Sequence, residues 1–249
     1  MARGLAEAGH DVGGPLARDY PGEALAGAEI VLLCVPDREI AAAAAAWRGH
    51  GGDDGGDVLL GHCSGATDLL ALRGPEGDTG RLFSLHPLMT FADATPRWAG
   101  AAGAVAGSSA SALATATELA RDLGLAPVSI ADGDRPAYHA AASVASNYLV
   151  TLLCAAETLA ASGGVTREML APLVRQAVEN WVADGAGALT GPLVRGDEDT
   201  VRRQRAAVAA RVPELLELFD GLTAATRVIA PSARDPRGLA AGELPGAAA

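Results

Sequence analysis

EIVLLCVP, residues 29–36, is a continuous apolar run of strand length that stops at a proline. A run of this kind is the pattern of a parallel strand buried on both faces, and it needs neighbours. Before it, MARGLAEAGH (1–10) reads as the end of a helix, with Leu5 and Ala8 at helical spacing and Gly9 as the stop, and 11–16 reads as a short strand. After it come an alanine helix over 40–47, a strand over 58–61 and the loop HCSGA (62–66). Two more strands, 81–85 and 101–106, flank HPLMTFADATPRW, which is too rich in proline and polar turn residues to be regular. An amphipathic helix over 110–123 ends at Gly124, and 126–130 is the last strand. Strands and helices alternating at this spacing imply βαβ units and a mostly parallel sheet.

From Asp134 onward no strand pattern recurs, and helices are expected over 136–162, 166–186 and 198–226. The organisation is therefore an α/β sheet domain (1–131), a helical domain (132–228) and a tail (229–249) whose Pro, Gly and Ala carry no period and predict disorder. Asp134 and Pro136 suit the N-cap and first turn of the first of these helices. It opens with YHAAASVASN (138–147), where about 100° per residue puts His139, Ser143, Ser146 and Asn147 in one narrow sector opposite Ala141, Val144, Tyr148, Leu152 and Ala155. Beyond Tyr148 the helix is apolar all round, which predicts burial of that end. The polar row then either lines an internal cleft or is satisfied by neighbouring backbone.

The 249 residues carry a formal charge of -11, and the one basic run, RRQR at 202–205, reads as a solvated helix face, so a nucleic-acid partner is not expected. No apolar run reaches the roughly 18–20 residues of a membrane helix, and a signal peptide with a basic start and apolar centre is not expected. Cys34, Cys63 and Cys154 have neither paired nor metal-ligand spacing, which fits a reducing cytoplasm and no bound metal. Every basic side chain is Arg, so lysine Schiff-base chemistry is excluded and proton transfer falls to histidine and carboxylates.

The segments AGHDV, EIVLLCVPDREI, HCSGA, SLHPLMTFA, YHAAASVASN and LTGPLVRGDEDTV, in this order to about residue 225, resemble the bacterial oxidoreductases that join a Rossmann-like domain to a C-terminal helical domain of unknown function. More distantly the layout is similar to ketopantoate reductase, prephenate dehydrogenase and the β-hydroxyacid dehydrogenases. The resemblance implies a Rossmann-like, mostly parallel sheet followed by an all-helical domain, with the ligand in the crevice between sheet and helices. Ketopantoate reductases carry Lys-x-x-x-Asn-x-x-x-Asn where this chain has His139, Ser143 and Asn147. The resemblance thus implies that His139 replaces the lysine as general acid and Asn147 keeps its hydrogen-bonding place, with Ser143 beside the substrate.

By the same resemblance the backbone of Val35, Pro36 and Asp37 contacts the cofactor ribose and nicotinamide, and Ser64 and Gly65 orient the nicotinamide or substrate. The alternative for both is an ordinary strand-to-helix turn. His86 is similar in place to the substrate-facing histidine of prephenate dehydrogenases, or is a structural loop histidine. Arg195 suits a substrate carboxylate, whereas Asp197 either joins it or only caps the last helix. Where relatives carry histidine after DxxTV, this chain has Gln204.

Relatives begin with a strand and a Gly-x-Gly-x-x-Gly turn that brings backbone amides to the pyrophosphate. This sequence starts inside the following helix, so a native start upstream of Met1 is expected. In a sheet ordered 3-2-1-4-5-6 the missing strand is central, which leaves the strands at 11 and 29 without the partner between them. Arg18, where an acidic residue would select NAD, either suits a 2′-phosphate and favours NADP, with NAD as the alternative, or is an ordinary exposed surface arginine. These expectations describe an NADP-dependent oxidoreductase reducing a small 2-oxo acid such as ketopantoate. The alternative is a silent binding or regulatory protein that has lost its cofactor. A homodimer through the apolar helices is a further expectation.

Overall fold

The computed structural model describes residues 1–17, 20, 22–49, 58–75, 77, 80–90, 98 and 100–233. These fall into two compact units, divided between Asn147 and Tyr148.

In the first unit five strands form one sheet in the order β1 (Ile30–Leu33), β2 (Leu59–His62), β3 (Leu82–Pro87), β4 (Ala102–Gly107), β5 (Ala126–Ser129). β1, β2 and β3 are parallel, β4 runs antiparallel to β3, and β5 is parallel to β4. Alternation along the strands sends side chains to opposite faces. Val31, Leu60 and Leu82 pack with Ile40, Ala44 and Trp47 of α2 (Ile40–Trp47) and with Leu69 and Leu72 of a 3₁₀ turn. Phe83, Leu85 and Val105 pack with Ala112, Ala116 and Leu119 of α3 (Ala110–Asp122), against which Met1 and Leu5 also lie. Both faces are covered, as the unbroken apolar run of β1 requires.

The helix ends follow local chemistry. Ser109 caps α3 by accepting from the Ala112 N–H (3.2 Å). Gly124 terminates it at a φ of 76°, with Leu125 N–H returning to Ala120 O (2.9 Å). Gly9 stops α1 (Ala2–Glu7) in the same way, and His10 beyond it pairs with Asp122 on α3 (2.9 Å).

Four expectations are corrected here. Residues 11–17 form no strand, and among the described residues β1 stands at an edge of the sheet. The stretch holds Gly13, Gly14 and Pro15, two residues without strand-stabilising side chains and one without an N–H. His86, expected in a loop, lies within β3. The helix beginning at Arg135 is not buried at its far end. α4 (Arg135–Ser143) leads through a π turn (Val144–Tyr148) into α5 (Leu149–Ala161), where no residue is buried and Val144, Tyr148 and Val150 are exposed. The helical run Asp132–Ala161 is long and apolar enough to cross a membrane by length and composition alone, a test that core helices of soluble proteins also pass. Last, 198–226 is two helices, α8 (Glu198–Arg211) and α9 (Leu216–Ala233), divided at Pro213.

The second unit also holds α6 (Arg167–Asp184) and α7 (Pro192–Arg195). Arg205 grips Asp220 with both nitrogens at 2.8 Å, joining α8 to α9 around the buried Val201 and Val208. α9 runs to Ala233, into the stretch read as tail. The first unit extends to Asn147, so α4 clusters with the sheet.

Candidate active site

At the carboxyl ends of β1, β2 and β3 a set of polar side chains converges around one buried cation. Arg135, at the start of α4, is 1 % exposed, although nothing in its sequence context marks it. Its Nε donates to Asp132 Oδ1 (2.7 Å), Nη1 to the Ser64 carbonyl (3.4 Å), and Nη2 to the Ser84 hydroxyl. Burying a guanidinium is costly unless its donors are met, and here one carboxylate and two oxygens meet them. Asp132 also accepts from Leu69 N–H (3.4 Å). The guanidinium thus ties α4 to the loop after β2 and to the middle of β3.

From that anchor α4 carries Tyr138 and His139 to His86. His86 Nδ1 and the Tyr138 hydroxyl are 2.8 Å apart, and the His86 and His139 ring centroids are 6.4 Å apart. All three side chains are half-buried. Burial, then His139 and Arg135, push the His86 imidazole below its ordinary value, so it is neutral at pH 7 and Nδ1 accepts the Tyr138 proton. Burial pushes Tyr138 up, which keeps it a donor. A Cβ at Gly65 would stand 2.7 Å from the His86 ring, so glycine lets the loop pass the imidazole.

The loop after β2 is organised from within. The Ser64 hydroxyl accepts from Ala66 and Thr67 N–H (3.1 and 2.9 Å) and donates to Thr67 Oγ1 (3.0 Å). His62, 0 % exposed, accepts from Ser64 N–H at Nδ1 (3.2 Å) and donates from Nε2 to Asp68 O (3.3 Å). Burial, reinforced by Arg135, holds it down at about 4. Across from this loop, Cys34 and Cys63 meet with their sulfurs 3.4 Å apart, a pairing that their spacing in the chain does not betray.

Of the residues read from the sequence, Ser64, Gly65, His86 and His139 come together in this cluster. Val35, Pro36 and Asp37 follow β1 at the same edge of the sheet, Pro36 and Asp37 exposed. Ser143 shares the half-buried side of α4, whereas the π turn changes the phase and leaves Asn147 exposed while Ser146 stays half-buried. Arg195 and Asp197 belong to the second unit. Arg195 donates to the Thr190 carbonyl, and Asp197 caps α8 by accepting from Thr200 N–H (3.0 Å). Arg18 lies outside the described residues. Arg135, Tyr138 and His62 were missed. The adjacency of Tyr138 to His139 was the one signal available for them.

A doubly covered, mostly parallel sheet followed by helices defines a Rossmann-like protein with a helical C-terminal region. The family described as "Domain of unknown function (DUF2520)" matches residues 102–226, and the chain belongs to that family. Among solved structures, protein TM1727 from Thermotoga maritima is 26% identical with a TM-score of 0.70, covering 83% of this chain and 80% of that one. BF3122 from Bacteroides fragilis, an inferred NADP oxidoreductase, is 17% identical with a TM-score of 0.65, covering 80% and 75%. The pyrroline carboxylate reductase of Plasmodium falciparum, solved with NADP bound, is 11% identical with a TM-score of 0.55, covering 92% of each chain. No curated protein sequence matches the chain.

A nicotinamide dinucleotide is the group this fold implies. The residues that follow β1 and β2 lie at the carboxyl end of the sheet, where such folds take their ligands, and Gly65 lets the loop after β2 pass close to His86. The sequence contains no Gly-x-Gly-x-x-Gly for its pyrophosphate.

Proposed function

We propose that the chain is an NADP-dependent oxidoreductase reducing the carbonyl of a small 2-oxo acid, with ketopantoate the first substrate to try and NAD the alternative cofactor. The observation that carries this reading is the His86, Tyr138, His139 cluster, half-buried where the parallel strands end and where sheets of this kind take their ligands. When bound, a reduced nicotinamide supplies hydride. The backbone of Val35, Pro36 and Asp37 and of Ser64 and Gly65 holds its ribose and ring, and Arg18 meets the 2′-phosphate. His139 gives a proton to the carbonyl oxygen as it becomes an alkoxide. Neutral His86 accepts the Tyr138 hydroxyl proton and holds that ring beside the substrate. Ser143 orients the acid from the next turn of the helix.

His139→Ala is expected to lower turnover by about 10²–10⁴-fold, the usual worth of a positioned general acid, with urea stability nearly unchanged. Loss of folding with no separable defect in turnover would overturn the assignment. The second reading is a silent binding module. Fluorescence titration with NADPH and NADH separates the two, since the enzyme must bind one of them.

The enzyme is proposed to be soluble, to work in the cytoplasm and to pair with a second copy. The exposed Met169, Leu173, Trp181 and Val182 of α6 support the pairing, and sedimentation reads it.

A further inference from the structure

Leu33 and His62 are the last registered pair of β1 and β2, and Cys63 N–H donates to Leu33 O (3.2 Å), so Cys34 and Cys63 leave the sheet side by side. Neighbouring strands lie about 4.8 Å apart. That is inside the roughly 4.4–6.8 Å between Cα atoms that a disulfide spans. The sulfurs already touch at 3.4 Å. Cys34 is exposed and Cys63 half-buried, so an oxidant in solution meets Cys34 first with Cys63 behind it. We propose that Cys34 and Cys63 are an oxidisable dithiol, which peroxide closes to an intramolecular disulfide and a small thiol reopens.

The chemistry divides between the two sulfurs. The hydrogen bond from Cys63 draws the Cys34 thiol down to about 7, giving a large thiolate fraction at neutral pH, while the same contact and burial push Cys63 up. The Cys34 thiolate attacks one oxygen of hydrogen peroxide and breaks the O–O bond. Hydroxide leaves and is protonated to water, and Cys34 becomes a sulfenic acid. Cys63 gives up its proton and attacks that sulfur, and the sulfenic oxygen leaves as a second water. Two thiols and one peroxide become one disulfide and two waters. Reduction by two equivalents of a small thiol reverses the change, with a mixed disulfide between them. A bond between adjacent strand ends ties the segments Val35–Asp37 and Ser64–Gly65 together. Resting on the function proposed above, its closure weakens NADPH binding.

The test uses the full chain. Denatured protein titrates three thiols before treatment with hydrogen peroxide, is expected to titrate one afterwards, and returns to three with dithiothreitol. Arg38 and Arg48 lie between the cysteines, so trypsin separates them, and mass spectrometry should find a Cys34–Cys63 linked pair with Cys154 free. Cys154→Ser should keep that link, and Cys34→Ser and Cys63→Ser should each abolish it. Sulfinic acid on Cys34 without a link, or disulfides only between chains, would overturn the proposal. NADPH affinity is expected to fall at least tenfold on oxidation. An unchanged affinity in protein that carries the link refutes the regulatory consequence. Binding to neither form refutes the proposed function and leaves the dithiol standing.

Discussion

Asp132→Asn removes the only carboxylate that contacts the Arg135 guanidinium among the described residues, while preserving the size of the side chain. Arg135 is 1 % exposed and cannot turn to water, so the variant leaves a buried cation with Ser84 and the Ser64 carbonyl as its remaining partners. Breaking a buried pair from one side costs about 3–5 kcal/mol. Asp132 is 40 % exposed, so part of its attraction is already screened, and the Asn carbonyl can still accept from Nε. We therefore expect a loss of about 2–3 kcal/mol. In a chain of this length that corresponds to a fall in Tm of roughly 5–10 °C.

Urea unfolding followed by tryptophan fluorescence suits the measurement, because Trp47 is 4 % exposed in the core of the sheet unit and its emission follows that unit. A second arm adds Arg135→Met to the first change, removing the stranded cation. The double variant should recover part of the loss, short of wild type because the buried Ser84 hydroxyl then lacks its partner. A single variant within about 0.5 kcal/mol of wild type, the scatter of ordinary surface substitutions, would show that the guanidinium does not depend on Asp132.

Gly65→Ala places a Cβ 2.7 Å from the His86 ring, and the ring must move off Tyr138. Turnover of the oxo acid should fall by about 10²-fold, as it does when a reacting group is displaced by an ångström, and NMR of the histidine ring should report the shift. His62 sets an acid limit on stability. Its imidazole titrates at about 4 in the fold against 6.5 unfolded, so the unfolded chain takes up the proton first as pH falls. Stability from this site is full above pH 6.5, is lost between 6.5 and about 4, and amounts to something on the order of 3 kcal/mol. Urea midpoints measured across that window should flatten in His62→Asn. Asp197→Ala removes the cap of α8 and should cost the helical unit about 1 kcal/mol by thermal unfolding. A loss of turnover far beyond that loss of stability would give Asp197 a role in substrate binding.

The architecture was legible because burial on two faces writes itself as an unbroken apolar run. EIVLLCVP could hardly be other than a covered parallel strand, and Gly9 and Gly124 mark helix ends that backbone sterics enforce locally. The strand expected at 11–16 failed for the opposite reason. Pairing is a property of neighbours, and among the described residues no ladder partner lies beside that stretch. His139 was legible because its period along α4 is a one-dimensional quantity, but the π turn that shifts Asn147 out of phase is not.

By itself, then, the sequence determined the alternation of strands and helices, the helical second half and the histidine near the head of α4, all of which depend on residues a few positions apart. Only the tertiary structure decided that Arg135 is buried, that His86 meets Tyr138, and that Cys34 touches Cys63. Those contacts join residues 29 to 71 positions apart, and their energy comes from desolvation and hydrogen bonding between strand ends that only the register of the sheet brings together.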